Sequence, residues 1–181
     1  MRQWPMAELT VRNGSRRHPA RHEAPRARWP CAIAAGAVAG IAYIALQSVL
    51  ANVIYGDSMW EPFHRIAAMA LGPRALENSD VFDVGIVATA MAIHTGLAAF
   101  YGLVLSYLIV EFTRRNALWL GAVAGLLIYL VNYYGFVGLF PWMAEMRGWV
   151  TLVAHAVFGA LLAACYWALY ADRPAARVSS G

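Results

Sequence analysis

Four stretches of this chain, Cys31–Tyr55, Val84–Val110, Ala117–Phe140 and Trp149–Tyr170, contain no Asp, Glu, Lys or Arg and are apolar almost throughout. A helix crosses the ~30 Å hydrocarbon layer of a bilayer with about 20 such residues, because each adds ~1.5 Å and its backbone polar groups are satisfied internally. The runs predict an all-α polytopic membrane protein with four transmembrane helices. The charge distribution agrees. Only 13% of the 181 residues are charged, against about 25% in a soluble domain. Those charges crowd into the first thirty residues, the stretch 57–83 and the short connections.

All 14 basic residues are arginine, and their placement sets a direction. Seven precede the first run (Arg2, Arg12, Arg16, Arg17, Arg21, Arg26, Arg28), Arg114 and Arg115 follow the second, and Arg173 and Arg177 follow the fourth. The opposite side holds Arg65, Arg74 and Arg147. Positively charged connections stay cytoplasmic, so both termini are expected inside a bacterial inner membrane. Cys31 and Cys165 then lie near the reducing face and form no disulfide framework. A cleavable secretory leader is the competing reading of the first run. Leader cores are ~7–15 residues, and this run is about 25 residues long with no small-x-small site after it. Residues 1–28, rich in Arg, Pro, Ala and His without helical periodicity, read as a disordered arm or a misplaced start. Residues 172–181 read as a disordered tail.

The first and third runs share a pattern. GAVAG begins at Gly36 and again at Gly121, with an amide eleven residues after each first glycine: Gln47 and Asn132. Eleven residues are close to three helical turns, so Gly36, Gly40 and Gln47 share a stripe, as do Gly121, Gly125 and Asn132. The second and fourth runs echo each other too: His94, Ala98 and Gly102 are spaced as His155, Gly159 and Ala163. This spacing suggests two tandem helical hairpins forming a parallel repeat, although Ala, Gly and Val are abundant enough to produce GAVAG twice by composition. Small residues matter here because lipid offers helices no hydrophobic reason to associate; close backbone approach supplies van der Waals contact instead. Gly36, Gly40, Gly102, Gly121, Gly125 and Gly159 are the expected packing positions.

Gln47, Asn52, His94, Asn132 and His155 fall in or near the outer half of the runs, with Ser48, Thr89 and Thr95 close by. Polar side chains within a membrane usually turn inward, so these five predict a polar pocket opening to the periplasm. Three readings stand side by side. The groups hydrogen-bond one another and fix a structural scaffold or partner-binding subunit. They bind an ion or small solute. Or His94 and His155, on different helices, ligate a b-type haem or another metal. No carboxylate lies within a run, which counts against an intramembrane acid relay. No nucleophile–base motif, phosphate loop or zinc spacing appears, so enzymatic activity has little support and no catalytic residue is assigned. Nothing points to nucleic acid. The expected partners are the lipid bilayer and a homo-oligomer or larger membrane complex.

Between the first two runs, Ser58–Gly72 has apolar residues at i, i+3, i+4 and i+7, with Ser58 and Glu61 spaced as a capping box and Gly72-Pro73 as a stop. This predicts an amphipathic helix at the membrane surface. Trp60, His64 and Arg65 there, and Trp142, Arg147 and Trp149 in the last outer connection, form the expected periplasmic interface, with Arg65 or Arg147 pairing with Glu145 or Glu61.

The combination of Trp60, Pro62 and Arg65–Ala68 with His94, Val131–Phe136 and the Phe140-Pro141-Trp142…Arg147-Gly148-Trp149 segment resembles a group of small uncharacterised inner-membrane proteins of proteobacteria, over roughly residues 30–170. Some of that group carry the label sodium:proline symporter. Transporters of that class enclose their site between two multi-helix repeats with broken helices, which four spans reproduce only by oligomerising. The resemblance implies a membrane location and a shared scaffold, without established catalytic residues.

Overall fold

The computed structural model describes residues 27–171. Apart from residues 27 and 28, the expected arm lies outside the described residues, as does the tail. Five α-helices follow one another: α1 (Trp29–Tyr55), α2 (Glu61–Leu71), α3 (Val84–Ile109), α4 (Arg114–Leu130) and α5 (Trp149–Ala171). There is no strand among the described residues. Four helices, α1, α3, α4 with its irregular extension to Gly138, and α5, are long and apolar enough to cross a membrane. The all-α, four-span architecture expected from the charge-free runs is therefore present.

Local chemistry sets the helix ends. Pro30 occupies the first turn of α1, where its missing N–H costs nothing, and Gly56 ends the helix with φ 75°, a left-handed conformation that glycine adopts without strain. The Asp83 carboxylate accepts from the Ile86 N–H at 2.9 Å and so caps α3. Thr113 does the same more loosely for α4, at 3.5 Å from the Asn116 N–H.

Two expectations change. The helix expected from Ser58 begins at Glu61. Ser58 Oγ lies 3.2 Å from the Trp60 N–H and 3.3 Å from the Asp80 carbonyl, and Glu61 turns to Arg65, so the capping box does not form. Regular helix in the third run ends at Leu130 rather than Phe140. A π turn follows over Val131–Gly135, and single 3₁₀ turns over Phe136–Gly138 and Pro141–Met146 complete the connection. Gly135 and Gly138 weaken the helix, and Pro141 excludes α geometry at Phe140, whose φ and ψ are −129° and 78°.

The spans stand in the order α3, α1, α5, α4. The inner pair, α1 and α5, pack on each other and each on its outer neighbour, whereas the consecutive helices α3 and α4 scarcely touch. Alanines fill the inner faces: Ala32, Ala35, Ala39, Ala154 and Ala163 are completely buried. Val38, Ile41, Phe100, Val104, Trp119, Leu127 and Val153 face outward, as lipid-facing side chains do.

Both outer pairings close through the glycine stripes. A methyl on Gly36 would strike the Ala98 carbonyl, and one on Gly40 would lie 2.6 Å from the Ala98 methyl. In α4, a methyl on Gly121 would strike the Gly159 carbonyl, and one on Gly125 the His155 carbonyl. Gly102 meets Ala32 in the same intimate way. The six expected packing glycines all lie at helix crossings.

α2 lies at one end of the bundle, mainly against α3. It buries Pro62, His64, Ala67 and Ala68, and Pro73–Leu76 returns beneath it.

Candidate functional site

The five residues expected to share one pocket are divided among three places. Asn52 is exposed, and its Nδ2 donates to the Asp57 carbonyl at 2.8 Å, which fastens the end of α1. Gln47 lies beneath the α2 end of the bundle in an outer chamber. His94, Asn132 and His155 line a second, deeper chamber.

The outer chamber has a volume of about 70 Å³ and is bounded by Gln47 and Tyr55 of α1, Glu61 and Arg65 of α2, Glu145, and Thr151 of α5. Gln47 is only 4% exposed. Its Nε2 donates to Thr151 Oγ1 at 3.0 Å, while Oε1 is buried without a hydrogen-bond partner. Ser48 Oγ, one residue on, is likewise unpartnered.

Arg65 roofs this chamber. It pairs with Glu61, four residues before it on α2, and its Nη1 donates to Glu145 at 2.7 Å and to the Trp142 carbonyl at 3.1 Å. Trp142 Nε1 returns a bond to the Arg65 carbonyl at 3.0 Å. The pairing expected between the two outer connections is thus made by Arg65 with Glu145, while its pair with Glu61 lies within α2. Burial alone would lower the pKa of Arg65, but its bonds to Glu61 and Glu145 outweigh that and raise it above its ordinary value. At the chamber edge, burial pushes the Asp57 carboxyl up and Glu61 adds to the rise, with Arg65 opposing. Arg147 instead donates from Nε to the Tyr133 carbonyl at 2.7 Å and lies 4.3 Å over the Tyr134 ring. The π turn carries that carbonyl. Trp60 packs on Phe63 and Phe82, and Trp149 is 63% exposed, as an interfacial tryptophan is. His64 is buried, with Nδ1 2.6 Å from the Ala75 carbonyl and Nε2 3.0 Å from the Val81 carbonyl, so it joins α2 to the strap before α3.

The deeper chamber, about 120 Å³, lies between α1, α3, α4 and α5 under Ile66 and Met69 of α2. His94 Nε2 is 2.9 Å from the Gly40 carbonyl across the α1–α3 crossing. His155 Nδ1 is 2.8 Å from the Thr151 carbonyl and 3.1 Å from the Tyr43 hydroxyl. Tyr43 stacks on His94 with centroids 5.4 Å apart and meets His155 edge-on at 4.7 Å. Tyr133 adds a further edge contact to His155 at 5.4 Å. Asn132 accepts from the Tyr101 hydroxyl at 2.9 Å, joining α4 to α3.

His94 and His155 therefore line the same chamber, with the Tyr43 ring packed against both. The bonded ring nitrogens are His94 Nε2 and His155 Nδ1, which leaves His94 Nδ1 and His155 Nε2 as the nitrogens able to ligate. No group of three or more His, Cys, Asp or Glu side chains is placed to hold a metal among the described residues.

Sequence reasoning missed Tyr43, Tyr101, Tyr133 and Thr151. Tyr43 was accessible to it, since Gly36, Gly40, Tyr43 and Gln47 share one stripe. Tyr101 and Tyr133 carry no such signal, because membrane helices commonly bear tyrosine.

The architecture is that of a multi-pass membrane protein with a polar outer chamber and a deeper, mostly apolar one that holds two histidines. Comparison with protein-family models, curated proteins and solved structures finds no match to this chain.

Proposed function

We propose that the protein is a non-enzymatic solute-handling protein of the bacterial inner membrane, with both termini cytoplasmic, that takes a small cationic hydrogen-bond donor from the periplasm into the outer chamber. The arginine bias of the connections supports the orientation, and the resemblance noted in the sequence supports the location. One observation carries the binding reading: the buried Gln47 Oε1 has no partner. Leaving a buried polar group unpaired costs about 1–3 kcal/mol, and here the group borders a chamber large enough for a few waters or one small ion. Asp57, Glu61 and Glu145 against Arg65 and Arg147 give that region a formal charge of −1. An ammonium or small protonated amine supplies the donor that Gln47 Oε1 lacks and a charge that balances the lining. The matching glycine contacts also support reading the hairpins α1/α3 and α4/α5 as copies of one unit.

The test is equilibrium binding of radiolabelled methylammonium to the full chain in nanodiscs. Saturable binding that weakens at least tenfold in Gln47→Leu and persists in Asn132→Leu is the expected result. Binding equal in both variants, or none that saturates, would mean that water alone satisfies Gln47.

A further inference from the structure

The deeper chamber differs from the outer one in chemistry and in access. No Asp, Glu, Lys or Arg lines it. The Gly40 carbonyl beside His94 Nε2 only accepts, so in a neutral ring Nε2 carries the hydrogen and Nδ1 presents a lone pair. By the same reasoning the Thr151 carbonyl fixes the hydrogen of His155 on Nδ1 and leaves Nε2 as an acceptor. Neither His94 Nδ1 nor His155 Nε2 has a protein hydrogen-bond partner among the described residues. Two imidazole acceptors thus remain in a chamber without charged side chains.

Access to it runs through lipid. Between α3 and α4 lies a cleft of about 330 Å³, walled by Phe100, Val104 and Leu108 on one side and Leu127 and Val131 on the other. It exists because these two helices scarcely touch. Tyr101 and Ile128 belong to the walls of both the cleft and the inner space that holds His94, Asn132 and His155. The Tyr101–Asn132 hydrogen bond stands at the junction. The apolar cleft and the space holding the two histidines thus adjoin across Tyr101 and Ile128.

We propose that this chamber and cleft form a binding site for a membrane-dissolved amphiphile with an uncharged hydroxyl head and an apolar tail, the head meeting His94 and His155 and the tail lying between α3 and α4. A charged head group would have no counter-charge there, and an alkane would leave the imidazole acceptors unpaired. Long-chain alcohols and hydroquinones share the required head chemistry. The site is independent of the outer chamber.

The experiment uses the full chain in nanodiscs and a prenyl alcohol with a photoreactive diazirine in its tail. Saturable labelling of residues 97–108 and 124–132 is expected. The methyl ether of the same probe, with an identical tail and no donor, should label at least tenfold less, a comparison that needs no variant protein. Leu127→Trp, which fills the cleft from its exposed side, should reduce labelling as strongly, and His94→Gln should raise the half-saturating concentration several-fold. Displacement by a decyl benzohydroquinone or by dodecanol identifies the preferred source of the head group, and either one supports the site. Equal labelling by alcohol and ether would overturn the proposal in favour of a plain lipid groove. Labelling that never saturates, or cross-links between two copies through the cleft, would overturn it as well.

Discussion

The hairpins α1/α3 and α4/α5 close by the same device, with the opposing methyl at a different turn of the crossing. At the crossing centred on Gly36 the opposing small residue is Ala98; at the matching crossing, centred on Gly121, it is Gly159. Each pair has one bare-backbone contact and one methyl: in the first, Gly36 faces Gly102 and Gly40 faces the Ala98 methyl, whereas in the second Gly125 faces Gly159 and Gly121 faces the Ala163 methyl. The first pair is held further by a side chain, the His94–Gly40 bond. Its counterpart, His155, bonds within α5 and reaches Tyr43 of α1 instead. One histidine closes its own hairpin; the other joins the two hairpins together. The lesson is that histidines at similarly spaced positions can serve different contacts within one bundle.

The largest effect expected from breaking this contrast is at Gly159. Gly159→Ala forces α4 and α5 apart and should cost about 2–3 kcal/mol, within the range for overpacking a core, whereas Ala98→Gly should cost only about 0.5–1 kcal/mol. Chemical unfolding in mixed micelles reads both, and equal losses would show that the hairpins pack alike. Next comes the outer connection. From glycine to histidine the first hairpin covers 94−36 = 58 residues and the second 155−121 = 34, so α2 and its strap account for 24 extra residues. Arg65→Gln should cost about 1 kcal/mol, because Glu145 is largely exposed and solvent screens its share. It should also open the Trp142 segment to proteolysis. A smaller change, in the stabilising direction, is expected at Gly96, where an added methyl meets nothing within 4 Å; Gly96→Ala should gain about 0.5–1 kcal/mol from helix entropy.

Asp57 gives the smallest effect and a definite sign. Its folded carboxyl titrates above the ordinary 3.8. Its favourable contribution is therefore complete below the unfolded value and fades as pH rises through the folded one. Asp57→Asn should melt slightly higher than the parent at neutral pH and match it below pH 3.8; an unchanged difference across that window would exclude Asp57 as the cause.

Hydropathy alone located four spans to within a few residues at most ends, because the cost of unpaired backbone in lipid leaves few alternatives. The six glycines were legible for a related reason: close crossings need small residues at helical spacing. Partition of the polar groups was not. Gln47 and Asn132 occupy matching positions, yet the π turn after Leu130 re-phases α4, and Asn132 meets Tyr101 of α3. Asn52 sits within one turn of a helix end, where an amide serves the backbone more readily than a pocket. Periodicity reports which face a residue is on, and neither a phase change nor a helix end is written in it.

The Arg65 clasp has a consequence for how the chain is made. Glu61 lies four residues away from Arg65, whereas Trp142 and Glu145 lie 77 and 80 residues further along. At roughly 5–20 residues per second of synthesis, that separation is a delay on the order of 4–16 s. Throughout it the first hairpin is in the bilayer without the second, and Glu61 alone accompanies the guanidinium. Glu145 then arrives just ahead of α5, so the last helix joins the bundle beside an arginine that has been waiting already paired.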